Sequence, residues 1–219
     1  MPPPIISGMG HDHDEATGHD EAGHSHSEDE HGEHSHDHGE HEHDSDHDHS
    51  HEEHTHDDHH AHDAEGVDIG VLTVSTSRTL DDDPAGDIIA TACEDAGHKI
   101  AERRLVADEM DAIEDAVASL LDDGVDVVLT TGGTGLTPDD VTVDAIEPLF
   151  DRPVPGFGEL FRWLSYEEVG PMAMASRATA GVVDDRLVFC LPGSENAART
   201  GAEKLVAPAV GHLLGLVRR

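Results

Sequence analysis

A long segment over residues 8–65 restricts the fold of this 219-residue chain more than any other feature, because it consists almost entirely of His, Asp, Glu, Gly and Ser. It holds 19 of the 21 histidines and no Lys, Arg, aromatic or branched aliphatic residue. Such a segment has no apolar surface to bury against the entropic cost of ordering its backbone. We therefore predict a disordered tail over residues 1–65 and one domain over residues 66–219, which is rich enough in Val, Leu, Ile and Ala to form a core.

The body of the chain, residues 66–219, is itself strongly acidic, with 28 acidic residues against ten Arg and two Lys. This balance lacks the basic face that nucleic-acid binding requires, so we expect no nucleic-acid partner. An acid-rich and lysine-poor composition fits a halophilic protein, because high salt screens the repulsion between its charges.

The sequence shows no signal for secretion or for membrane insertion. No apolar run reaches the length of a membrane span, and the N-terminus MPPPIISGMG lacks a basic region followed by an apolar stretch. Cys93 and Cys190 lie far apart in apolar segments, which favours two buried, reduced thiols over a disulfide. We therefore expect a cytoplasmic protein without membrane contact.

Strand-like and helix-like segments alternate along the body, which is typical of an α/β fold with a doubly wound, mostly parallel sheet and flanking helices. The predicted strands are 67–76, 99–106 and 125–130, with a hairpin of 180–183 and 186–191 that turns at Asp184-Asp185. The predicted helices are 85–96, 108–121, 142–150, 157–168, 171–179 and 194–217, the last one bent or interrupted at Pro208. Ligands bind such sheets at the carboxyl ends of the strands, so segments 76–87, 106–108 and 131–140 should meet at one crevice.

The strongest candidate site is the stretch TTGGTGLTPDDV at residues 130–141, directly after a predicted buried strand. Its glycines allow unusual backbone angles and close ligand approach, and successive amides in such a turn form a nest for anionic oxygens. It is neither a Walker A loop nor a dinucleotide fingerprint, because Gly-Lys-Ser/Thr and the GxGxxG spacing are both absent. A glycine turn is as often purely structural. The Pro-Asp-Asp that follows favours a site, since a carboxylate beside a phosphate nest is understandable if Mg²⁺ lies between them.

Three further segments have both a structural and a functional interpretation. Asp108, at a strand–helix junction, is either the helix N-cap or part of the crevice. The arginines of PGFGELFRWLS and of Ala-Ser-Arg, Arg162 and Arg177, either form surface ion pairs or receive a phosphate-bearing ligand. Ser194, after Leu-Pro-Gly, is either a plain N-cap or part of an anion site at a helix N-terminus.

The stretches TTGGTGLTPDDVT, PLFDRPVPGFGELFRWLSYEEVGPMAMASRA and LPGSENA, in this order, resemble the MoaB/Mog family of molybdenum-cofactor biosynthesis. The resemblance covers residues 67–217, and the second stretch is most similar to the MoaB branch. It implies the molybdopterin-binding domain fold and an adenylyltransferase that uses Mg²⁺ and ATP to transfer AMP to the terminal phosphate of molybdopterin. It also implies a homotrimer or hexamer and partners among other cofactor-synthesis proteins.

The resemblance also implies which residues form the site. Asp108 and Asp140 match the catalytic, Mg²⁺-holding aspartates. The matching nucleotide- and pterin-binding positions are Ser75, Arg78, Thr131, Gly132, Gly133, Thr134, Gly135, Gly156, Ser165, Ser176, Arg177, Pro192, Gly193 and Ser194. Two positions depart from the family pattern: Asp139 stands where Arg is common, and Ala107 stands where Pro is common. Because Asp139 places a negative charge where phosphates are expected, the alternative is a non-catalytic molybdopterin-binding carrier protein with a metal-binding histidine-rich tail.

The histidine clusters of the tail have three interpretations. His34, His36 and His38, and likewise His59, His60 and His62, supply imidazoles that suit Zn²⁺, Ni²⁺ or Cu²⁺. No fixed ligand spacing indicates a structured metal site. The alternatives are a solvated acidic tail without a role, a metal-buffering or delivery segment, and a pH-responsive interaction arm.

Overall fold

The structure, a computed structural model of the chain, describes Ala64 and residues 66–219. The predicted tail and its candidate metal-binding histidines lie outside these residues, so both stay predictions. Within the described part, no helix is long and apolar enough to cross a bilayer.

A mixed sheet forms the centre of the body. Its strands are β1 (Asp68–Val74), β2 (Lys99–Val106), β3 (Val127–Thr131), β4 (Arg152–Pro153), β5 (Thr179–Val183) and β6 (Arg186–Leu191). Their order is β2-β1-β3-β6-β5-β4, and the first four in this order run parallel to one another. β5 is antiparallel to β6, and β4 is antiparallel to β5. The carboxyl ends of β1, β2, β3 and β6 therefore lie at one edge of the sheet, which we call the carboxyl edge.

Helices cover both faces of the sheet, which confirms the predicted fold class. They are α1 (Pro84–Asp95), α2 (Met110–Asp122), α3 (Thr142–Ile146), α4 (Pro155–Val169), α5 (Glu195–Gly201) and α6 (Ala207–Val217). Successive residues of a strand point to opposite faces. Accordingly, Val71 packs in the core that contains α1, α4, α5 and α6, while Leu72 packs in the core that contains α2 and α3.

The prediction of a helix over residues 171–179 is wrong. A 3₁₀ segment, Gly170–Ala175, follows α4, and the chain then extends into β5 at Thr179. Gly170 ends α4 with a φ of 60°. The backbone N–H of Ala178 donates to Ser176 Oγ, and the N–H of Arg177 donates to the Thr134 carbonyl. These bonds use amides that a continued helix would need for its own ladder.

The predicted interruption of the last helix is confirmed, and it precedes Pro208. A π-helical turn, Ala202–Val206, separates α5 from α6, and Pro208 stands in the first turn of α6. A proline lacks the N–H and clashes with the carbonyl four residues earlier, here Lys204, so the wider turn accommodates the ring. The predicted hairpin is also present, and Asp184 and Asp185 turn it with φ values of 47° and 60°.

The two cysteines are buried and free, as predicted. Burial, together with the negative charge of Glu94, raises the pKa of Cys93 to about 12. Burial likewise raises the pKa of Cys190 to about 12. Both thiols are therefore protonated at neutral pH, and they contribute to packing.

Candidate active site at the carboxyl edge

Four loops meet at the carboxyl edge, because the four parallel strands that they follow are neighbours in the sheet. The N–H of Ser75, after β1, donates to the Val106 carbonyl at the end of β2 over 2.9 Å. The N–H of Gly132, after β3, donates to the Leu191 carbonyl at the end of β6 over 3.0 Å. Thr131 Oγ1 donates to the Pro192 carbonyl at 3.1 Å. The crevice that the sequence predicts is thus formed by bonded loops.

The glycine loop, residues 131–135, requires glycine at two positions. Gly132 has a φ of 109°, and a Cβ there would lie 2.2 Å from the Val74 carbonyl oxygen. Gly133 has a φ of 63°, and a Cβ there would lie 2.2 Å from Thr142 Oγ1. Side chains are strained at such φ values, and neither neighbour leaves room for one. The loop therefore presents bare backbone at the carboxyl edge.

Asp140 closes the glycine loop from its far side. Its Oδ2 accepts hydrogen bonds from Thr137 N at 2.9 Å and from Thr137 Oγ1 at 2.6 Å. Burial alone would raise the pKa of Asp140, but the bonds from Thr137 and Gly135 and the charge of Arg177 outweigh it and lower the pKa below its ordinary value. Asp140 is therefore an ionised carboxylate at neutral pH.

Arg177 holds the glycine loop in place. Its backbone N–H donates to the Thr134 carbonyl at 2.9 Å, and its Nε donates to the Gly135 carbonyl at 2.8 Å. One terminal nitrogen pairs with Asp144 at 3.0 Å, and the other donates to the Asp140 carbonyl. The guanidinium thus satisfies loop carbonyls, which is a positioning arrangement.

Asp108 is turned toward the neighbouring loop and does not cap α2. The N-cap position of α2 belongs to Glu109, and no side chain caps it. Instead, the backbone N–H of Thr76 donates to Asp108 Oδ2 at 2.8 Å. The N-cap interpretation of Asp108 is therefore wrong, and its half-buried carboxylate belongs to the carboxyl edge.

The turn after β1 carries the other predicted residues of this loop. Ser75 Oγ accepts from the backbone N–H groups of Ser77 and Arg78, both at 3.3 Å, and so fixes the turn. Arg78 Nη2 crosses to the loop after β6 and donates to the Gly193 carbonyl at 3.0 Å. A Cβ on Gly193 would lie 3.1 Å from Gly132 Cα, so the loops after β3 and β6 touch through their glycines.

A small cavity of about 140 Å³ adjoins the carboxyl edge. Four predicted residues line it, namely Ser165, Ser176, Pro192 and Ser194, together with an apolar wall that includes Phe161 and Met172. Ser194 is also the N-cap of α5 and accepts from Ala197 N at 3.3 Å, so the N-cap interpretation is confirmed.

Gly156 and Arg162 are two of the candidate residues that lie in α4. Gly156 is exposed in the first turn of α4, and nothing lies within 4 Å of the position that a Cβ would take there. Arg162 Nη1 donates to the Ala178 carbonyl at 3.0 Å, so it holds the chain that enters β5. The role of Gly156 in ligand binding stays a prediction.

The donor set for a metal at the carboxyl edge is small. Across Ala64 and residues 66–219, no group of three or more His, Cys, Asp and Glu side chains is arranged to hold a metal ion. Mg²⁺ commonly takes one or two protein carboxylates, and substrate phosphates and water complete its coordination. Asp108 and Asp140 supply carboxylates of the required kind from two of the loops, and their joint role in holding Mg²⁺ stays a prediction.

Sequence reasoning missed two residues that shape the site. Thr137 was not singled out, although its amide and hydroxyl fix Asp140. Asp83 directly precedes Pro84 at the start of α1, and its side chain is fully buried and lies 3.6 Å from Arg78. An acid just before Pro84 is an ordinary N-cap signal, so the sequence offered no sign of its second contact.

Comparison with known proteins relates this geometry to a family. Residues 70–212 match the family model described as a probable molybdopterin binding domain. Molybdenum cofactor biosynthesis protein B of Bacillus subtilis is 45% identical over 151 residues, which are 68% of this chain and 89% of the relative. The Escherichia coli K12 protein of the same name is 45% identical over 141 residues, 64% of this chain and 83% of the relative. The crystal structure of a tungsten cofactor synthesizing protein MoaB from Pyrococcus furiosus has a TM-score of 0.64 at 37% identity, and it covers 70% of this chain and 98% of that chain.

Proposed function

The chain belongs to the MoaB/Mog family of molybdopterin-binding domains in molybdenum-cofactor biosynthesis, and on this premise we propose that it transfers AMP from Mg²⁺-ATP to the terminal phosphate of molybdopterin. One observation carries the proposal. The glycine loop lies at the same sheet edge as two carboxylates, Asp108 and Asp140, which belong to loops that follow different strands.

The reaction requires charge neutralisation more than covalent help from the protein. A phosphate oxygen of molybdopterin attacks the α-phosphorus of ATP, a new P–O bond forms, and the bond to the departing pyrophosphate breaks. Because two anions must approach in line, catalysis depends on alignment and on electrostatic stabilisation. Within residues 132–135, the N–H of Gly132 donates to the Leu191 carbonyl and that of Gly135 donates to Asp140. The amides of Gly133 and Thr134 are therefore the ones that suit phosphate oxygens, and the missing side chains of Gly132 and Gly133 permit a close approach.

The two aspartates have complementary positions in this proposal. Mg²⁺, when bound, neutralises phosphate charge and orients the reacting groups. Asp140, which is ionised and fixed by Thr137, would hold Mg²⁺ beside the glycine loop. Asp108 would hold Mg²⁺ from the loop after β2, and it also accepts a hydrogen bond from the backbone N–H of Thr76. The small cavity next to Ser165 and Ser176 suits the pterin end, since it combines an apolar wall with hydroxyl groups.

A second candidate function is a molybdopterin carrier without transferase activity. The observation that favours it is Asp139, an exposed acid where the family pattern commonly has arginine. A negative charge beside the phosphate site opposes nucleotide binding by Coulomb repulsion. The two candidates share the pterin site and differ in AMP transfer.

The test is an adenylylation assay with the full chain, molybdopterin, ATP and Mg²⁺ at high salt, in which the pterin product is analysed by mass. Asp140→Ala and Asp108→Ala should abolish AMP transfer and leave folding and most pterin binding intact. Asp111→Ala, an exposed acid in the first turn of α2, serves as the matched control. Full activity in both site variants would contradict the assignment. Tight pterin binding without AMP transfer would identify a carrier, and Asp139→Arg would then be the first variant to examine.

A further inference from the structure

The carboxylate of Asp83 is fully buried at the end of the loop that joins β1 to α1. It caps α1 by accepting from Gly86 N at 3.1 Å. Its Oδ2 also accepts from Thr73 Oγ1 at 2.5 Å and from Arg103 Nη2 at 3.2 Å. A buried charge is costly unless it is paired and hydrogen-bonded, and here partners from β1, β2 and α1 satisfy it. The carboxylate is therefore held in one position.

Arg78 joins this buried carboxylate to the carboxyl edge. Arg78 Nη1 lies 3.6 Å from Asp83 Oδ1, while its Nη2 donates to the Gly193 carbonyl at 3.0 Å. The Arg78 side chain is 30% exposed and that of Asp83 is 0% exposed. Salt screens exposed ion pairs much more than buried ones, so this contact should weaken less with rising salt than the ion pairs on the surface of the protein.

We infer that Asp83 is a positioning residue for Arg78. It holds the Arg78 guanidinium at the loop after β6, where the guanidinium binds an anionic oxygen of the substrate. The identity of that ligand, a phosphate group, rests on the proposed function. Arg177 uses Nε and both terminal nitrogens on Asp144 and on loop carbonyls, whereas the contacts of Arg78 with Asp83 and Gly193 use only its two terminal nitrogens. Arg78 is therefore the better placed of these two arginines. Pre-ordering lowers the entropic cost of immobilising a long side chain when ligand binds.

A purely structural role for Asp83, as the cap of α1, makes a different prediction. Asp83→Asn keeps a residue that is equally favoured at an N-cap, but it removes the charge that faces Arg78. Asp87→Asn is the matched control, because Asp87 is 63% exposed and pairs with the same Arg103 at 2.6 Å. If Asp83 only caps the helix, Asp83→Asn and Asp87→Asn should have the same effect on the reactivity of Arg78.

The first measurement needs no substrate. The full chain at high salt is treated with phenylglyoxal, and modification of Arg78 is followed by peptide mass spectrometry. Asp83→Asn should speed modification of Arg78 several-fold, and Asp87→Asn should leave it unchanged. Equal rates in wild type and a folded Asp83→Asn variant would overturn the inference. If Asp83→Asn does not fold, Asp83→Ser, which also caps helices and carries no charge, gives the same comparison.

The second measurement is a double-mutant cycle in affinity for Mg²⁺-ATP. Asp83→Asn and Arg78→Gln should each weaken binding about tenfold, and the double variant should bind no more weakly than Arg78→Gln alone. Multiplying effects would overturn the positioning role, because they would show that Asp83 acts independently of Arg78. If the wild-type chain binds no Mg²⁺-ATP, the proposed function fails, whereas the modification rate of Arg78 still decides the role of Asp83.

Discussion

Gly132 lies against the Val74 carbonyl so closely that a Cβ on Gly132 would be 2.2 Å from the carbonyl oxygen. Gly132→Ala should therefore destabilise the protein on two counts. The positive φ of 109° costs an alanine roughly 1–2 kcal/mol, and the steric overlap adds roughly 1–3 kcal/mol. Urea unfolding at fixed salt measures the loss, and ligand binding should fall with it because the loop must move.

Gly97→Ala is the control for the glycine prediction. Gly97 has a φ of 88°, and nothing lies within 4 Å of its Cβ position, so that only the backbone penalty applies. Equal destabilisation by the two substitutions would show that the glycine loop yields without cost and that its close contact with Val74 is unimportant.

Asp140 should give the protein a specific acid dependence. Its folded-state pKa is lowered, so its contribution to stability is present above the unfolded pKa of about 3.9 and is lost as the pH falls through the folded value. The stability difference between wild type and Asp140→Asn should be constant from pH 7 to about pH 5 and should shrink below about pH 4. A difference that does not change with pH would show that the carboxylate gains nothing from Thr137 and Arg177.

The buried thiols should resist alkylation in the native protein. With pKa values of about 12, Cys93 and Cys190 are almost entirely protonated at pH 8, and neither is exposed. Iodoacetamide should label both only after unfolding, so that mass spectrometry of labelled protein reports the unfolded fraction. Labelling of either cysteine in unperturbed protein would mean that its surroundings open on the time scale of the reaction.

The histidine tail should bind late transition metals weakly and in proportion to its imidazoles. The absence of a fixed spacing predicts that replacing His34, His36, His38, His59, His60 and His62 with Asn lowers the zinc load by no more than their share of the 19 tail histidines. Binding should decline as the pH falls below about 6.5, because protonated imidazole is no ligand. Equilibrium dialysis of the full chain measures both effects. A loss well beyond that share would indicate a structured site among these six histidines, and a full chain that takes up no zinc would indicate a solvated arm without metal.

The parts of the fold that were predicted correctly are those specified by local sequence. The strand before the glycine loop is a nearly continuous apolar run, and the glycine loop itself is a local pattern of Gly and Thr. β4 escaped prediction because two residues, Arg152 and Pro153, carry no periodicity. Its pairing with β5 depends on the hairpin further along the chain.

The residues that the sequence did not reveal owe their positions to distant partners. Arg177 leaves the helical path because its N–H bonds to Thr134, and Asp83 is buried because Arg103, 20 residues later, returns along β2. Neither contact produces a recognisable pattern in the neighbouring sequence. The sequence predicts that these loops meet in a crevice, but it does not indicate which groups Arg78, Arg162 and Arg177 contact there.

The β5–β6 hairpin turns at Asp184 and Asp185 with positive φ at both residues, the pattern of a two-residue type I′ turn. Because β6 starts there and ends at the crevice, the tip lies at the opposite edge of the sheet. A short Gly-rich insertion between these residues, carrying one cysteine, would relieve the φ constraint and place a reactive thiol on the surface. With both native thiols buried, a dye attached there would report on the tumbling of the protein while the carboxyl edge stays uncovered.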